Sequence, residues 1–196
     1  MDIRVIKSKN SIFDAFVNLR SKKELRKITV KELCEKALIN KSTFYTYYED
    51  MFDLSDKIES SVVDGIVSTI TNPQMMIDEP VKFYRSLLEA MAENKKLIDT
   101  VFSGSQHPNL IVKISKSLKK MSFENHPEYI NDKKICTILD YAIYGGYYAF
   151  VENQADTNDY STELIESVSV ISGHMAKLIK EKFLFLKTAV CENVYE

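Results

Sequence analysis

Residues 28–54 read ITVKELCEKALINKSTFYTYYEDMFDL, and this stretch decides the fold. Thr29, with Glu32 three residues later, has the spacing of a capping box, which predicts that a helix begins here. Asn40 is a favourable N-cap residue for a second helix starting at Lys41. Two short helices joined by so tight a turn predict a helix-turn-helix.

The rest of the chain also favours helices. Only 5 Gly and 4 Pro occur in 196 residues, which argues against a β-sandwich or barrel. Apolar periodicity predicts further helices over residues 4–22, 50–71, 80–92, 94–102, 109–125, 132–151 and 161–190. We therefore expect an all-α fold with a three-helix, helix-turn-helix domain (residues 1–50) followed by a helical C-terminal domain (residues 51–196).

The charge is unevenly distributed along the chain. Residues 1–50 carry 11 Lys and Arg against 7 Asp and Glu, a net charge of +4. The remaining residues carry 15 against 21, a net charge of −6, so the whole chain has a net charge of −2. A basic N-terminal quarter on an acidic body is expected if one end of the protein touches a polyanion. The alternative is an unevenly charged, solvated surface.

The second helix of the motif carries side chains suited to DNA. Projected at about 100° per residue, Phe44 and Tyr48 point towards the core, and Ser42 and Thr46 point nearly opposite. Hydroxyls can reach base edges or phosphates, and small side chains let the helix approach a groove closely. The alternative is an ordinary surface helix with extra tyrosines.

These residues resemble a known family. Residues 28–54 resemble the helix-turn-helix signature of the TetR family of bacterial regulators, and SIFDAFVNL (residues 11–19) is similar to the family's first helix. The likeness covers roughly the first 60 residues. It implies that residues 1–50 are a DNA-binding domain and residues 51–196 an effector-binding and dimerisation domain. It also implies a homodimer that binds double-stranded DNA at an inverted repeat and responds to a small-molecule effector. By the same resemblance, the DNA-binding residues are Lys41, Ser42, Thr43 and Tyr45 at bases or phosphates, and Thr29 and Tyr47 at the backbone.

Two positions depart from the family pattern. Leu38 stands in the turn where relatives usually have Gly, and it costs about 1 kcal/mol or more if the backbone needs a positive φ. Met51 stands where relatives often have a Lys that contacts a phosphate. Whether these two departures weaken DNA binding is left open by the sequence.

The last two predicted helices have features of a dimer interface. The final helix has an apolar seam with alternating steps of four and three, formed by Leu164, Val168, Ile171, Met175 and Leu178. The helix before it has a stripe of small residues, Ala142, Gly145 (or Gly146) and Ala149. Such a pair suits a four-helix interface with two helices from each protomer. The alternative is that both faces are internal core.

An apolar pocket between helices is the default ligand site of a bundle. The candidate lining residues are aromatic or long and apolar: Phe83, Tyr84, Leu87, Met91, Phe102, Met121, Tyr141, Tyr144 and Tyr148. Few charges occur among them, which favours an apolar or aromatic ligand. The alternative is that these side chains are ordinary core and interface aromatics.

Other function classes have little support in the sequence. The three His and three Cys lack metal-ligand spacing, no phosphate-binding loop is present, and no catalytic triad is implied. We therefore expect no enzyme activity, metal or cofactor. No apolar run approaches the roughly 18 residues of a membrane span, and the N-terminal stretch MDIRVIKSKN has no apolar signal core, so a cytoplasmic location without membrane association is expected.

The main rival to a regulator is an interaction protein or coactivator on the same scaffold, with little promoter control by direct DNA binding. The operator, the effector, the target genes and the choice between repressor and activator do not follow from the sequence.

Overall fold

The computed structural model describes residues 3–70, 72, 74–153 and 162–192, and within these ranges it contains helices and no strand. The α-helices are α1 Ile3–Arg20, α2 Val30–Ala37, α3 Lys41–Tyr47, α4 Met51–Ser68, α5 Met75–Asp78, α6 Pro80–Glu93, α7 Lys95–Val101, α8 Asn109–Asn125, α9 Lys133–Glu152 and α10 Thr162–Glu192. Short 3₁₀ turns occur at Leu25–Lys27, Gly104–Gln106 and Pro127–Tyr129. The all-α prediction is confirmed, and α5 is an additional helix that the sequence pattern did not predict.

The chain forms two compact units. The first comprises Met1–Gly65 and Asn94–Lys113, and the second comprises Ile66–Glu93 and Ile114–Glu196. In the first unit α1 packs against α2 and α7, and α2 packs against α3. In the second unit α10 packs against α6, α9 and α5. The functional division at residue 50 stays a prediction.

The first unit is built on an apolar core that the helix periodicity supplies. Ile12 and Phe16, one turn apart on α1, are fully buried, as are Leu33 of α2 and Phe44 of α3. Each short helix of the motif therefore contributes one large anchoring side chain to a shared core.

Helix α2 starts as the capping pattern predicts. The Thr29 Oγ1 accepts a hydrogen bond from the Glu32 N–H at 3.2 Å. The Glu32 carboxylate accepts a hydrogen bond from Lys23 Nζ at 2.6 Å. The cap fixes where α2 begins, and the ion pair connects that start to the segment after α1.

Helix α4 has a stronger start signal. The Asp50 Oδ1 accepts hydrogen bonds from the N–H groups of Phe52 and Asp53, both at 2.8 Å. The Asp53 Oδ2 accepts a hydrogen bond from the Glu49 N–H at 2.9 Å. Two acidic side chains thus satisfy three backbone donors at this helix start. Asn40 occupies the N-cap position of α3, which begins at Lys41 as predicted, but its side chain makes no capping hydrogen bond.

The turn between α2 and α3 is tight and left-handed. Leu38 ends α2 with φ 56° and ψ 44°, and it is the one non-glycine residue of the described ranges with a positive φ. A side chain in this region costs roughly 1–2 kcal/mol, which is why glycine is common there. The backbone at position 38 therefore does have a positive φ, and the leucine adopts it at a cost in free energy.

A buried arginine joins α1 to the segment after α7 within the first unit. The Arg20 Nη2 donates to the Oγ and the carbonyl oxygen of Ser103, at 2.6 and 2.9 Å. The Arg20 Nη1 donates to the carbonyl oxygen of Lys23 at 3.1 Å. Burial lowers the pKa of the guanidinium, and the Glu59 carboxylate opposes that shift. The contact holds the end of α1 against residues more than eighty positions later in the chain.

Glycines allow close helix approach in the second unit. A Cβ added at Gly173 would lie 2.6 Å from the Val81 Cγ2 and 2.7 Å from the Val81 backbone nitrogen. A Cβ added at Gly146 would lie 2.5 Å from the Ser172 Oγ. At Gly145, by contrast, the nearest atom is 4.0 Å away. Gly146 is therefore the member of the pair that brings α9 close to α10.

Candidate nucleic-acid interface

Helix α3 has one buried anchor and a polar outer face. Phe44 is fully buried, and its ring meets the edge of Tyr45 at a centroid distance of 5.3 Å. Lys41 and Ser42 are exposed, and Tyr45 is 57% exposed. Thr43 is half-buried. Seven residues of helix thus present an ammonium, a hydroxyl and a phenol together on the surface.

Thr29 lies at the N-cap of α2 and is exposed. Its hydroxyl oxygen is occupied as the acceptor for the Glu32 N–H. A hydroxyl that accepts through its oxygen can still donate its hydrogen. Thr29 can therefore cap α2 and donate to a phosphate oxygen at the same time.

Tyr47, at the end of α3, lies beneath a lysine of α1. The Lys9 Nζ is 5.6 Å from the centroid of the Tyr47 ring, within the range of a cation–π contact. Tyr47 is half-buried and Lys9 is exposed. A phosphate approaching the Tyr47 hydroxyl would therefore meet a nearby cation. Sequence reasoning missed Lys9, since no local pattern pairs residues 38 positions apart.

A second lysine supports the end of α3. The Lys57 Nζ donates to the Tyr47 carbonyl oxygen at 3.1 Å and to the Asp53 Oδ2 at 2.8 Å. It also lies 5.4 Å from the centroid of the Tyr48 ring. The hydrogen bond from Lys57 lowers the pKa of the Asp53 carboxyl, aided by the Glu49 N–H. Met51 itself is buried, so its side chain belongs to the core of the first unit.

The predicted dimer residues divide between surface and core. Ile171 and Leu178 of α10 are 66% and 42% exposed. Gly145 and Ala149 of α9 are exposed as well, while Leu164 and Met175 are half-buried. Val168 and Ala142 are buried. The exposed members, together with Tyr141 and Tyr148, make an apolar outer face on α9 and α10.

A shallow depression of about 140 Å³ lies in this outer face. Its lining includes Tyr141, Gly145 and Ala149 of α9 and Ile171 and Met175 of α10. Both small residues and larger apolar side chains therefore line it. A depression with this outline can accept a protruding apolar side chain from a facing surface.

A separate apolar cavity lies inside the second unit. Three of the predicted effector residues, Tyr84, Leu87 and Met91, line it from α6. Ile143 and Tyr147 of α9 line it as well, and the sequence prediction did not include them. Its volume of about 20 Å³ is about the space that a single water molecule needs. A larger ligand therefore needs the surrounding side chains to move.

Tyr84 is one of two tyrosines that line this cavity, with Tyr147. The Tyr84 hydroxyl is buried and has no hydrogen-bond partner among the described residues. Burial raises the pKa of the Tyr84 phenol far above its ordinary value. The hydroxyl therefore stays protonated and can donate one hydrogen bond into an otherwise apolar space.

The other predicted pocket residues lie elsewhere. Phe83 is fully buried, and Phe102 belongs to the first unit. Met121 and Tyr144 are half-buried. Tyr141 and Tyr148 are 65% and 52% exposed on the outer face of α9.

No family model matches the chain, and neither a curated protein nor a solved structure matches it. Across the described residues, no group of three or more His, Cys, Asp or Glu is arranged to hold a metal ion. The helices described above include none with both the length and the apolar character to cross a membrane.

Proposed function

We propose that the chain is a sequence-specific DNA-binding transcription regulator of the TetR type. The observation that carries the proposal is the outer face of α3, where Lys41, Ser42 and Tyr45 are exposed while Phe44 anchors the helix. Short hydroxyl side chains allow a close approach to the major groove, and the phenol and ammonium can reach base edges or phosphates. In this proposal α3 is the recognition helix and α2 crosses the backbone.

Electrostatics support a DNA role for one end of the chain only. Residues 1–50 carry a net charge of +4 on a chain whose total is −2. Lys9 adds an exposed cation beside Tyr47. Phosphate contacts supply much of the affinity of a DNA-binding protein. The proposed phosphate contacts are therefore Thr29, Tyr47 and Lys9.

The proposed regulator acts as a homodimer through the outer face of α9 and α10. This face has exposed Tyr141, Tyr148 and Ile171 around a depression formed at Gly145 and Ala149. A two-fold axis through this face brings the same patch of each protomer together, so the two copies of the patch contact each other. Two recognition helices then enter successive major grooves, so the operator is an inverted repeat with half-site centres about 10 bp apart or a small multiple of that distance.

The proposed effector is a small apolar or aromatic compound with one hydrogen-bond acceptor. It enters the cavity lined by Leu87, Met91 and Ile143 and accepts a hydrogen bond from the Tyr84 hydroxyl. Binding would favour a dimer conformer whose recognition helices no longer match the operator spacing. Such an effector changes the affinity for the operator only to the extent that it binds one of the two conformers more tightly than the other.

The experiment that tests DNA recognition begins with selection of duplexes from random DNA by the full chain. Fluorescence anisotropy over a series of salt concentrations then compares the selected duplex with a scrambled duplex of equal length. We expect about a thousandfold preference for the selected duplex and a steep loss of affinity with salt.

Two variants make the test specific to α3. Tyr45→Ala is expected to weaken binding of the selected duplex about tenfold or more, because it removes a base or phosphate contact. Ile130→Ala is the matched control, since Ile130 is 53% exposed but lies in the second unit, far along the chain from the motif. Equal weak binding to both duplexes by the unaltered chain would contradict the proposed function.

A second candidate is an interaction protein on the same scaffold. The observation that favours it is the burial of Met51, which leaves no phosphate-binding side chain at the first residue of α4. Such a protein would retain its activity in the Tyr45→Ala variant and would select no duplex. The same selection experiment therefore separates the two candidates.

A further inference from the structure

Leu38 combines backbone strain with an unusually exposed side chain. Its φ of 56° lies in the left-handed region, and no other non-glycine residue of the described ranges has a positive φ. Its side chain is 91% exposed, the largest exposed fraction among the large apolar side chains described as exposed. A large apolar side chain is thus held out into solvent at a strained position.

Contacts within the protein do not explain this leucine. The hydrogen bonds at the end of α2 run from the Leu38 backbone N–H to the carbonyl oxygens of Cys34 and Glu35. Glycine would make the same backbone bonds without the strain, since they involve no side-chain atom. A side chain this exposed also buries little apolar area in the isolated chain. Fold stability therefore favours glycine at this position.

The position of Leu38 suggests what its side chain contacts. It is the first of three residues between α2 and α3, and Lys41 begins the helix that carries the polar face. The nearby exposed groups of that face, on Lys41, Ser42 and Tyr45, are hydrogen-bonding groups. The major groove offers one apolar group on its base edges, the C5-methyl of thymine. The Lys41 ammonium and the Ser42 hydroxyl are not suited to that methyl, whereas the apolar side chain of Leu38 is.

We propose that Leu38 is a specificity-determining residue that contacts the C5-methyl of a thymine at the edge of each half-site. The inference rests on the proposed function, because it needs α3 to lie in the major groove. Strained residues concentrate at functional sites, where binding offsets their cost. Leu38 would then add discrimination at one base pair that the polar face of α3 does not read.

The experiment uses the selected duplex and replaces each thymine in turn by deoxyuridine, which removes only the C5-methyl. Anisotropy titrations of the full chain measure the dissociation constant for each substituted duplex. We expect one symmetry-related thymine pair at which removing the methyl weakens binding about fivefold or more, the effect of losing a buried apolar contact. Leu38→Gly is expected to bind the unmodified duplex more weakly than the unaltered chain by the same factor. Its affinity should not change further when that thymine pair is replaced by deoxyuridine.

Two further variants serve as controls for the effect of Leu38→Gly. Leu38→Asn retains a side chain that tolerates the left-handed backbone but removes the apolar contact, so it should behave like Leu38→Gly. Val112→Ala removes a different apolar side chain of the first unit that is 55% exposed, and it should keep the methyl dependence of the unaltered chain. Thermal unfolding should show Leu38→Gly melting about 2–4 °C higher than the unaltered chain, which excludes misfolding as the cause of weaker binding.

Each outcome decides one point. If Leu38→Gly and the unaltered chain respond equally to deoxyuridine at every thymine, the contact does not exist and the inference is overturned while the proposed function stands. If the unaltered chain selects no duplex at all, the proposed function fails and this inference fails with it. Loss of methyl dependence at one thymine pair in both Leu38→Gly and Leu38→Asn, with the dependence kept in Val112→Ala, supports the contact.

Discussion

The Lys9 Nζ lies 5.6 Å from the centroid of the Tyr47 ring, which joins the first half of α1 to the last residue of α3. An ammonium above an aromatic face is attracted by the ring's quadrupole, and an exposed pair gains about 0.5–1 kcal/mol. The contact also leaves a cation next to a phenol on one surface. A phosphate group is the ligand that both can bind.

Lys9→Gln is expected to weaken DNA binding to all sequences by a similar factor. The lost phosphate contact should reduce the slope of log affinity against log salt by about 1. Anisotropy titrations at four or more salt concentrations measure that slope. Lys116→Gln is the matched control, because Lys116 is exposed on α8 outside the first unit. An unchanged slope in Lys9→Gln would show that Lys9 makes no phosphate contact.

Thr29→Ala is expected to reduce the free energy of unfolding by about 1 kcal/mol, because the Glu32 N–H loses its capping acceptor. Urea denaturation followed by circular dichroism measures the change. Thr29→Ser keeps the hydroxyl and should retain most of the stability. If alanine and serine variants unfold at the same urea concentration as the unaltered chain, the cap contributes nothing measurable.

Asp53 makes the stability of the fold depend on pH in the acid range. The hydrogen bond from Lys57 lowers the pKa of the Asp53 carboxyl below its ordinary value of 3.8. A carboxyl with a lowered pKa in the folded state adds stability above its unfolded pKa and loses it as the pH falls through the folded pKa. Asp53→Asn should therefore show a flatter fall in melting temperature between about pH 5 and pH 2. Parallel acid curves for the two proteins would contradict this.

Two glycine-to-alanine changes should act in opposite directions. Gly173→Ala places a Cβ within 2.7 Å of the Val81 backbone, and overpacking of this kind costs about 1–3 kcal/mol. Gly65→Ala places a Cβ in open space on α4, so better helix propensity should stabilise by about 0.5–1 kcal/mol. Chemical denaturation of both variants measures the difference. A stabilised Gly173→Ala variant would contradict the close approach of α10 and α6.

Ile171→Glu is expected to dissociate the proposed dimer. The side chain is 66% exposed on α10, so the isolated protomer tolerates the charge, whereas an apolar interface does not. Analytical ultracentrifugation of the variant should show a monomer at concentrations where the unaltered chain is a dimer. Ile130→Glu, at a 53% exposed site outside the outer face, should stay dimeric.

The fold could be predicted from the sequence wherever the signal was local. The starts of α2 and α4 follow from pairs three residues apart, Thr29 with Glu32 and Asp50 with Asp53, and the structure has hydrogen bonds at both. Helix α5 was not predicted because its four residues make a single turn, which is too short to show a periodic pattern of apolar residues. The possibility of a strained turn at Leu38 came from the resemblance, in which this position is usually glycine, and the structure has a φ of 56° there.

The candidate sites were less predictable because they depend on contacts between distant residues. The spacing of Tyr141, Tyr144 and Tyr148 identifies one face of a helix but does not say which side of the helix is buried. The structure buries the neighbouring Tyr147 instead and leaves Tyr141 and Tyr148 exposed. The cavity joins Tyr84 to Tyr147 from separate helices, and no local pattern encodes that pairing.

The discontinuous first unit has a consequence for synthesis on the ribosome. Helices α1 to α3 are made early, but the Arg20 Nη2 finds its acceptors only when Val101 and Ser103 have been added. The unit is complete at Lys113, 48 residues after Gly65, which corresponds to roughly 2–10 s of translation. A nascent chain that has reached Gly65 therefore lacks the acceptors of the Arg20 Nη2 and exposes the side of α1 that α7 later covers. The first helices to be synthesised finish packing late, after much of the chain has followed them.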